Sequence, residues 1–401
     1  MARQRYIAGL DLGTQNIKAL VINKKEGEPA EIVFQTQRES SGVRRGVVIG
    51  PEEVSEAIKE IFSRVKEETQ RDIDSVYVNV SGSHLFTNPS HGLISVSRAD
   101  RKVSQEDIQR VLQETQALSL SSNRKIFDVV TKEFVVDGER GIKEPLGLEG
   151  VRLEAEALVL GGFVPYLDNL TQAILSSGLQ ILDMIPSPLA SSRACLTKKQ
   201  KEQGVALIDM GAGTTSLAVF EEGDLAHLTV FPMGSANITS DIAIGLKTDF
   251  EIAEKIKIEY GVCLAPRSQK KEKIEVGEED PLVFTHKQLA HIVETRVLEI
   301  FNEINKELKK ISKERALPAG IVLTGGGAKL PGIAELAKRI FKLSVKIGKP
   351  LEIEALSDTA MSCVGGLALT GTDSREFSSE VFLSGSGIIG KIKKLFRIFI
   401  P

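Results

Sequence analysis

Cysteine is scarce in this 401-residue chain: Cys195, Cys263 and Cys363 stand far apart, odd in number and with no C-x-x-C pair. That pattern argues against a disulfide framework or a structural zinc site, and each thiol is expected to pack as a small apolar side chain. Long hydrophobic runs are missing as well. No stretch of 18 or more uncharged apolar residues occurs, so no membrane-spanning helix is expected. Residues 1–6 run straight into a strand pattern and leave no room for a secretory signal peptide, which makes a reducing cytoplasm the expected setting. Neither charge dominates. The net charge of −3, with 42% hydrophobic and 26% charged residues, describes a soluble globular chain without a basic field for nucleic acid. The length suits two to four units sharing a substantial core.

What is present is a long internal repeat. The β-rich runs 6–10 and 17–22 flank the polar turn Asp11-Leu-Gly-Thr-Gln-Asn16 and read as a hairpin; 204–208 and 216–220 flank Asp209-Met-Gly-Ala-Gly-Thr-Thr215 in the same way. A repeat half a chain apart suits a duplicated domain, with two lobes facing each other. Between the two hairpins, periodicity predicts an amphipathic helix over 51–70 and a strand over 76–80. A mixed insert follows over 84–162, with strands at 92–96, 127–136 and 154–160 and a helix capped by Ser104. Residues 241–311 read as mostly helical, interrupted by a lysine-rich loop at Arg267–Lys273. A helix is expected at 333–341, a last core helix at 359–370 and a flexible linker over 371–387.

The paired turns suggest a phosphate grip. A triphosphate with Mg²⁺ needs close backbone N–H donors, hydroxyls and carboxylates for the metal's water shell. Asp11 and Asp209 are placed to act on the metal. Gly13, Gly211 and Gly213 permit tight turns, and Thr14, Thr214 and Thr215 offer hydroxyls. Gln15, Asn16 and Ala212 complete the two turns, and Lys18 can reach back as a point charge. Either Asp-x-Gly alone marks an ordinary turn; in a duplicated frame they act together. A third element, Ile321-Val-Leu-Thr-Gly-Gly-Gly-Ala328, ends a buried strand on Gly325, Gly326 and Gly327 before Ala328, so that a purine can lie flat against bare backbone. Glu254 and Lys257, one helical turn apart, can face ribose and base or form an exposed ion pair.

This set resembles the actin, Hsp70 and sugar-kinase superfamily. The implied fold is α/β: a two-lobed ATP-binding architecture of duplicated ribonuclease-H-like domains. Ser81-Gly-Ser-His84, Ser90-His-Gly-Leu-Ile94, Val136-Asp-Gly-Glu-Arg-Gly-Ile142, Pro145-Leu-Gly-Leu-Glu-Gly-Val-Arg-Leu-Glu-Ala-Glu156 and Phe231-Pro-Met-Gly-Ser-Ala-Asn-Ile-Thr-Ser-Asp241 narrow it, resembling the bacterial cell-division FtsA family over about residues 5–370 and the tail. The resemblance implies subdomain 1A at 1–83 and 163–198, with 367–375 returning to it, and a 1C insert at 84–162 that contacts neighbouring protomers in filaments and later division proteins. It implies 2A at 199–240 and 312–366, and 2B at 241–311, where the C-terminal tail of FtsZ binds. Arg296 and Glu299 match the family's FtsZ-binding helix; read from the residues alone they are an i, i+3 surface pair. In Hsp70-like relatives a Glu precedes the Pro of a helix leaving the first lobe, and Ile185-Pro-Ser-Pro188 puts Ser187 at that position. Serine is a poor general base, so ATP with Mg²⁺ is expected to act chiefly as a conformational ligand with weak or absent turnover.

The tail carries a second signal. On a helical wheel Ile388, Ile389, Ile392, Leu395, Phe396, Phe399 and Ile400 share one arc while Lys391, Lys393, Lys394 and Arg397 occupy the rest. Such a helix lies in a membrane interface, basic groups on anionic headgroups, unless it docks on the protein's own core. The family resemblance implies the same: peripheral attachment at the cytoplasmic face of the division site. Rival readings are a small-molecule kinase, a nucleotide-driven chaperone and the pilus-assembly relative PilM. The first lacks an evident catalytic carboxylate near Ser187, and the second lacks an appended substrate domain. The third lacks the C-terminal helix and the Pro145–Glu156 segment.

Overall fold

The computed structural model describes residues 5–25, 28–97, 99–264, 271–274 and 282–376. In the first lobe β1 (Arg5–Leu12), β2 (Asn16–Lys24) and β3 (Glu31–Glu39) form an antiparallel meander. A small hairpin, β4 (Val43–Arg44) and β5 (Val47–Val48), precedes helix α1 (Pro51–Thr69). Pro51 suits the first helical turn, where an N–H has no partner to lose. Val54, Ala57, Ile58, Ile61 and Val65 make one buried stripe on this helix, as a 3.6-residue period requires. Strand β6 (Ser75–Val80) then joins β1 in parallel.

The insert builds its own sheet from β7 (Phe86–Ser95), β8 (Arg124–Val136), β9 (Glu139–Ile142) and β10 (Arg152–Phe163), in the order β7-β10-β8-β9. Helix α2 (Gln105–Glu114) packs Ile108, Val111 and Leu112 against it. That helix starts at a reciprocal cap: Asp107 N donates to Ser104 Oγ while Ser104 N donates to the Asp107 carboxylate. Helix α3 (Val164–Ser176) leads to β11 (Gln180–Pro186), which completes the first sheet as β11-β6-β1-β2-β3.

Helices α4 (Ser187–Cys195) and α5 (Lys198–Gln203) carry the chain into the second lobe. There β12 (Val205–Met210), β13 (Thr215–Glu221) and β14 (Asp224–Phe231) form another antiparallel meander. Next come α6 (Ser235–Leu246), α7 (Phe250–Tyr260), the hairpin β15 (Lys271–Ile274) and β16 (Leu282–Thr285), and the long α8 (His286–Lys310). Strand β17 (Ile321–Thr324), helix α9 (Ile333–Phe341) and strand β18 (Val345–Ile347) finish a sheet of order β14-β13-β12-β17-β18. Strand for strand this repeats the first sheet: a three-strand meander, then two strands added in parallel beside its first strand. Helix α10 (Ser362–Glu376) returns to pack on α4 and β1.

Two expectations change. Residues 371–376 are helical, not linker, because Gly371 continues α10 where a Cβ would strike Ile7 and Tyr77 at 2.4 and 2.5 Å, and Asp373 pairs with Arg193 at 2.7 Å. The last core helix is accordingly Ser362–Glu376, preceded by a 3-10 turn at Thr359–Met361, rather than 359–370. Lysines 271 and 273, expected in a loop, lie in β15, laddered to Leu282–Thr285. The rest of that loop, 267–270, and the tail residues 377–401 with their basic amphipathic pattern lie outside the described residues.

Candidate functional site

The two hairpin turns face one cavity of about 380 Å³, lined from lobe 1 by Asp11, Gly13, Thr14, Gln15, Asn16, Lys18 and Ser187, and from lobe 2 by Asp209, Gly211, Ala212, Thr214, Glu254, Lys257, Gly325, Gly326 and Gly327. That volume falls in the range of small-molecule sites. Antiparallel register explains how residues seven apart meet: Asp11 is the cross-strand partner of Lys18, and Asp209 of Ser216. Lys18 Nζ lies 3.2 Å from Asp11 Oδ2.

Glycines set how closely the parts approach. A Cβ on Gly213 would come within 3.0 Å of Thr14, so the two turn tips touch across the cleft. Gly325 has φ +86° and leaves no room for a Cβ, which would lie 2.3 Å from Asp209 Oδ1. The glycine turn at Gly325–Gly327 is thereby pressed against the Asp209 turn. Helix α6 docks on that turn too, with Ser235 N donating to Gly211 O at 2.9 Å and Ala236 N to Ala212 O at 2.9 Å.

Three predicted members do not line the cavity. Gly213 is covered by Thr14. Thr215 is the first residue of β13, fully buried, and gives its hydroxyl to Met233 O at 2.8 Å, so strand alternation turns it away from a ligand. Ala328 sits buried behind the glycines. Glu254 and Lys257 do not form an exposed pair: Lys257 is buried, 2.7 Å from Glu254 and 2.8 Å from the Thr239 hydroxyl, and both line the cavity. Arg296 and Glu299 lie on α8 and are not among the residues lining the cavity; Arg296 forks onto Asp241 at 2.6 and 2.8 Å and contacts Glu299 at 2.5 Å.

Asn79, Lys329 and Asp358 also line the cavity, and Ser191, outside the lining, bonds Asp209; none of the four had a signal in the sequence. Asn79, 3% exposed at the end of β6, accepts from Leu12 N at 2.7 Å and donates to Ser187 Oγ at 3.1 Å. Ser187 in turn donates to Val80 O at 3.3 Å, so its hydroxyl is engaged by two partners, neither of them a base. Ser191, one turn along α4, donates to Asp209 Oδ2 at 2.5 Å. Lys329 and Asp358, paired at 2.7 Å, border the glycine turn. A lone polar residue near a strand end, on a helix or in a turn is too common a pattern to mark these in advance.

The electrostatics fit a cation and an anion together. Burial pushes Asp209 up to about 6, opposed by the Ser191 hydrogen bond and reinforced by the charge of Asp11. Burial works against the Lys18 ammonium, yet the Asp11 carboxylate outweighs it and holds that pKa above its ordinary value. Two carboxylates converge on one cavity, and a divalent ion would relieve their conflict. Among the described residues no cluster of three or more His, Cys, Asp or Glu exists to hold a metal unaided. A metal held here would need phosphate oxygens and water beside the two carboxylates.

Fold and site together define an actin-like protein of two duplicated lobes around a cleft. Similar solved structures include the PilM–PilN type IV pilus biogenesis complex (TM-score 0.65, 17% identity, 91% of this chain and 98% of that one). MreB 5 of Spiroplasma citri bound to AMPPNP (TM-score 0.58, 15%, 94% and 99%) and MreB5 bound to ADP (0.56, 15%, 95% and 99%) are similar too. At such identity these likenesses fix the fold alone. The family is fixed by sequence. The model of cell division protein FtsA matches residues 206–366, and that of the SHS2 domain inserted in FtsA matches residues 82–160. Cell division protein FtsA of Pseudomonas aeruginosa is 34% identical over 389 residues, 95% of this chain and 93% of that one; the Bacillus subtilis protein is 33% identical over 91% and 83%. The chain belongs to the FtsA family of cell-division proteins. Among its described residues no helix is long and apolar enough to cross a membrane.

Proposed function

We propose that this chain binds ATP in the cleft and, in that state, polymerises on the cytoplasmic face of the cell membrane, tethers FtsZ filaments there and helps recruit later division proteins. The observation that carries the reading is the pair of hairpin turns, Asp11–Lys18 and Asp209–Thr214, converging on one cavity in a chain of the FtsA family. The residues that would hold the nucleotide are the turn amides with Thr14, Thr214 and Lys18 for the phosphates, Asp11 and Asp209 for the water shell of Mg²⁺, and Glu254, Lys257 and Gly325–Gly327 for the adenosine. The metal would supply charge neutralisation between the phosphates and the two carboxylates.

Turnover is slow in this reading. The Ser187 hydroxyl is engaged by Asn79 and Val80, and lowering the barrier for an attacking water needs a positioned base. ATP then works by differential affinity for closed lobes. Subdomain 2B offers the FtsZ tail the edge made by Arg296 and Glu299, with Arg296 already oriented by Asp241. The tail 388–401 supplies the membrane contact, and the insert the contacts to neighbours and later partners.

The test combines a peptide of the FtsZ C-terminus with anionic liposomes. Expected are measurable peptide binding that weakens in Arg296→Glu, and liposome co-sedimentation that is lost when 386–401 is deleted. No detectable affinity for the peptide, or unchanged co-sedimentation after the deletion, would overturn the corresponding half of the proposal. Purified protein turning over ATP at about 1 s⁻¹ or faster without partners would overturn the conformational-ligand reading.

A further inference from the structure

Among the described residues every cation lining the cleft already has a carboxylate partner: Lys18 lies 3.2 Å from Asp11, Lys257 2.7 Å from Glu254, and Lys329 2.7 Å from Asp358. Asp209 adds a fourth carboxylate to those three pairs. A triphosphate carries roughly two negative charges beyond what one divalent metal cancels, so backbone dipoles alone would have to hold its far end.

The missing charge sits at the mouth. Strands β4 and β5 pair Arg44 with Val47, leaving Arg45–Gly46 as a two-residue turn with φ +47° and +77°. Such a turn favours Asn or Gly at its first position, where a longer side chain is strained. The tip is docked on the first phosphate-type turn: Gly46 N donates to Thr14 Oγ1 at 3.0 Å, and a Cβ on Gly46 would strike Ser81 Oγ at 2.8 Å. Gly46 lines the cavity. Standard bond lengths put Arg45 Cα within about 5.5 Å of Thr14 Oγ1, and an arginine side chain spans roughly 6–7 Å. Both arginines are exposed, and among the described residues neither guanidinium has a hydrogen bond, ion pair or ring contact.

We infer that the Arg44–Arg45–Gly46 turn is a sensor for the terminal phosphate: Gly46 fixes the turn on Thr14, and the Arg45 guanidinium, with Arg44 beside it, pairs with the phosphate that a triphosphate has and a diphosphate lacks. The inference rests on the nucleotide reading above. It explains why arginine occupies a turn position that conformational preference would give to asparagine.

Arg45→Asn is the informative variant, because it removes the charge while suiting the turn, so folding is preserved or improved. Dissociation constants for ADP and for the non-hydrolysable analogue AMPPNP, each with Mg²⁺, are measured for parent, Arg45→Asn, Arg45→Lys and the Arg44→Ala/Arg45→Asn double variant. Expected is a loss for AMPPNP of about tenfold or more in Arg45→Asn, a larger loss in the double variant, partial retention in Arg45→Lys, and less than about twofold change for ADP throughout. Equal losses for both nucleotides, or no loss for either, would overturn the sensor while leaving the cleft a nucleotide site. A parent that binds neither nucleotide removes both readings at once.

Discussion

Among the described glycines, Gly366 should be the one least tolerant of alanine. A Cβ there would lie 1.7 Å from Ala190 O and 2.4 Å from Ala190 C, so the obstacle is the main chain of α4, which cannot swing aside as a side-chain end does. Gly365, one residue earlier in the same helix, is an internal control, since the nearest atoms to its Cβ would be side-chain ones, Leu356 Cδ2 at 3.0 Å and Pro350 Cγ at 3.5 Å. In a helix interior, Gly→Ala is worth about 1 kcal/mol in favour of alanine. At 365 that gain offsets a small shift of Leu356, and Gly365→Ala should lie within about 1 kcal/mol of the parent. At 366 the helices must separate, loosening the buried Val364, Leu367 and Ala194 around the crossing. Overpacking costs about 3 kcal/mol or more where backbone has to move, so the net loss is about 2 kcal/mol or more. At roughly 2–4 °C per kcal/mol for a unit of this size, the melting temperature should fall by about 4–8 °C or more. Calorimetry on parent and both variants without nucleotide decides it. A Gly366→Ala protein melting with the parent would refute the claim that backbone contact sets the α4–α10 crossing.

Other expectations follow from named contacts. Burial would raise the Asp107 carboxyl, but hydrogen bonds from Ser104 and Ser97 outweigh it and hold it at about 2, below its ordinary 3.8. Its contribution is therefore present above pH 4 and fades as pH falls from about 4 through 2. Asp107→Asn should cost about 1–2 kcal/mol in neutral urea melts, and the gap from the parent should close in that acid window. All three cysteines are buried, which lifts Cys195 to about 11, Cys263 to about 12 and Cys363 well above the ordinary value. A thiol-titrating reagent at pH 8 should find no fast-reacting group in native protein and three after denaturation; a fast native thiol would contradict the packing. Asn79→Ala leaves Leu12 N without its acceptor, costing about 1–3 kcal/mol of stability in urea melts.

Much of the site was legible because its signals are local. A strand, an Asp-x-Gly turn and a second strand form a hairpin wherever they occur, and antiparallel register brings residues seven apart face to face, as with Asp11 and Lys18. Periodicity likewise marked α1 and α9 to within a residue. Composition misled where packing decided the outcome. Gly371 and the polar residues after it resemble a linker, yet the helix continues because a glycine is what fits against Ile7 and Tyr77. Thr215 looks like one more phosphate hydroxyl, but its place on the strand turns it to Met233.

By itself, then, the sequence determined the duplication, the two Asp-x-Gly hairpin turns and the family, since each is written in short stretches of chain. Tertiary structure alone decided which hydroxyls reach the cleft, that Asn79 and Ser191 brace it, and that Gly46, next to Arg44 and Arg45 in sequence, docks on Thr14 and lines the cavity. Those placements depend on strand register and helix crossings between distant segments, and no local pattern encodes them.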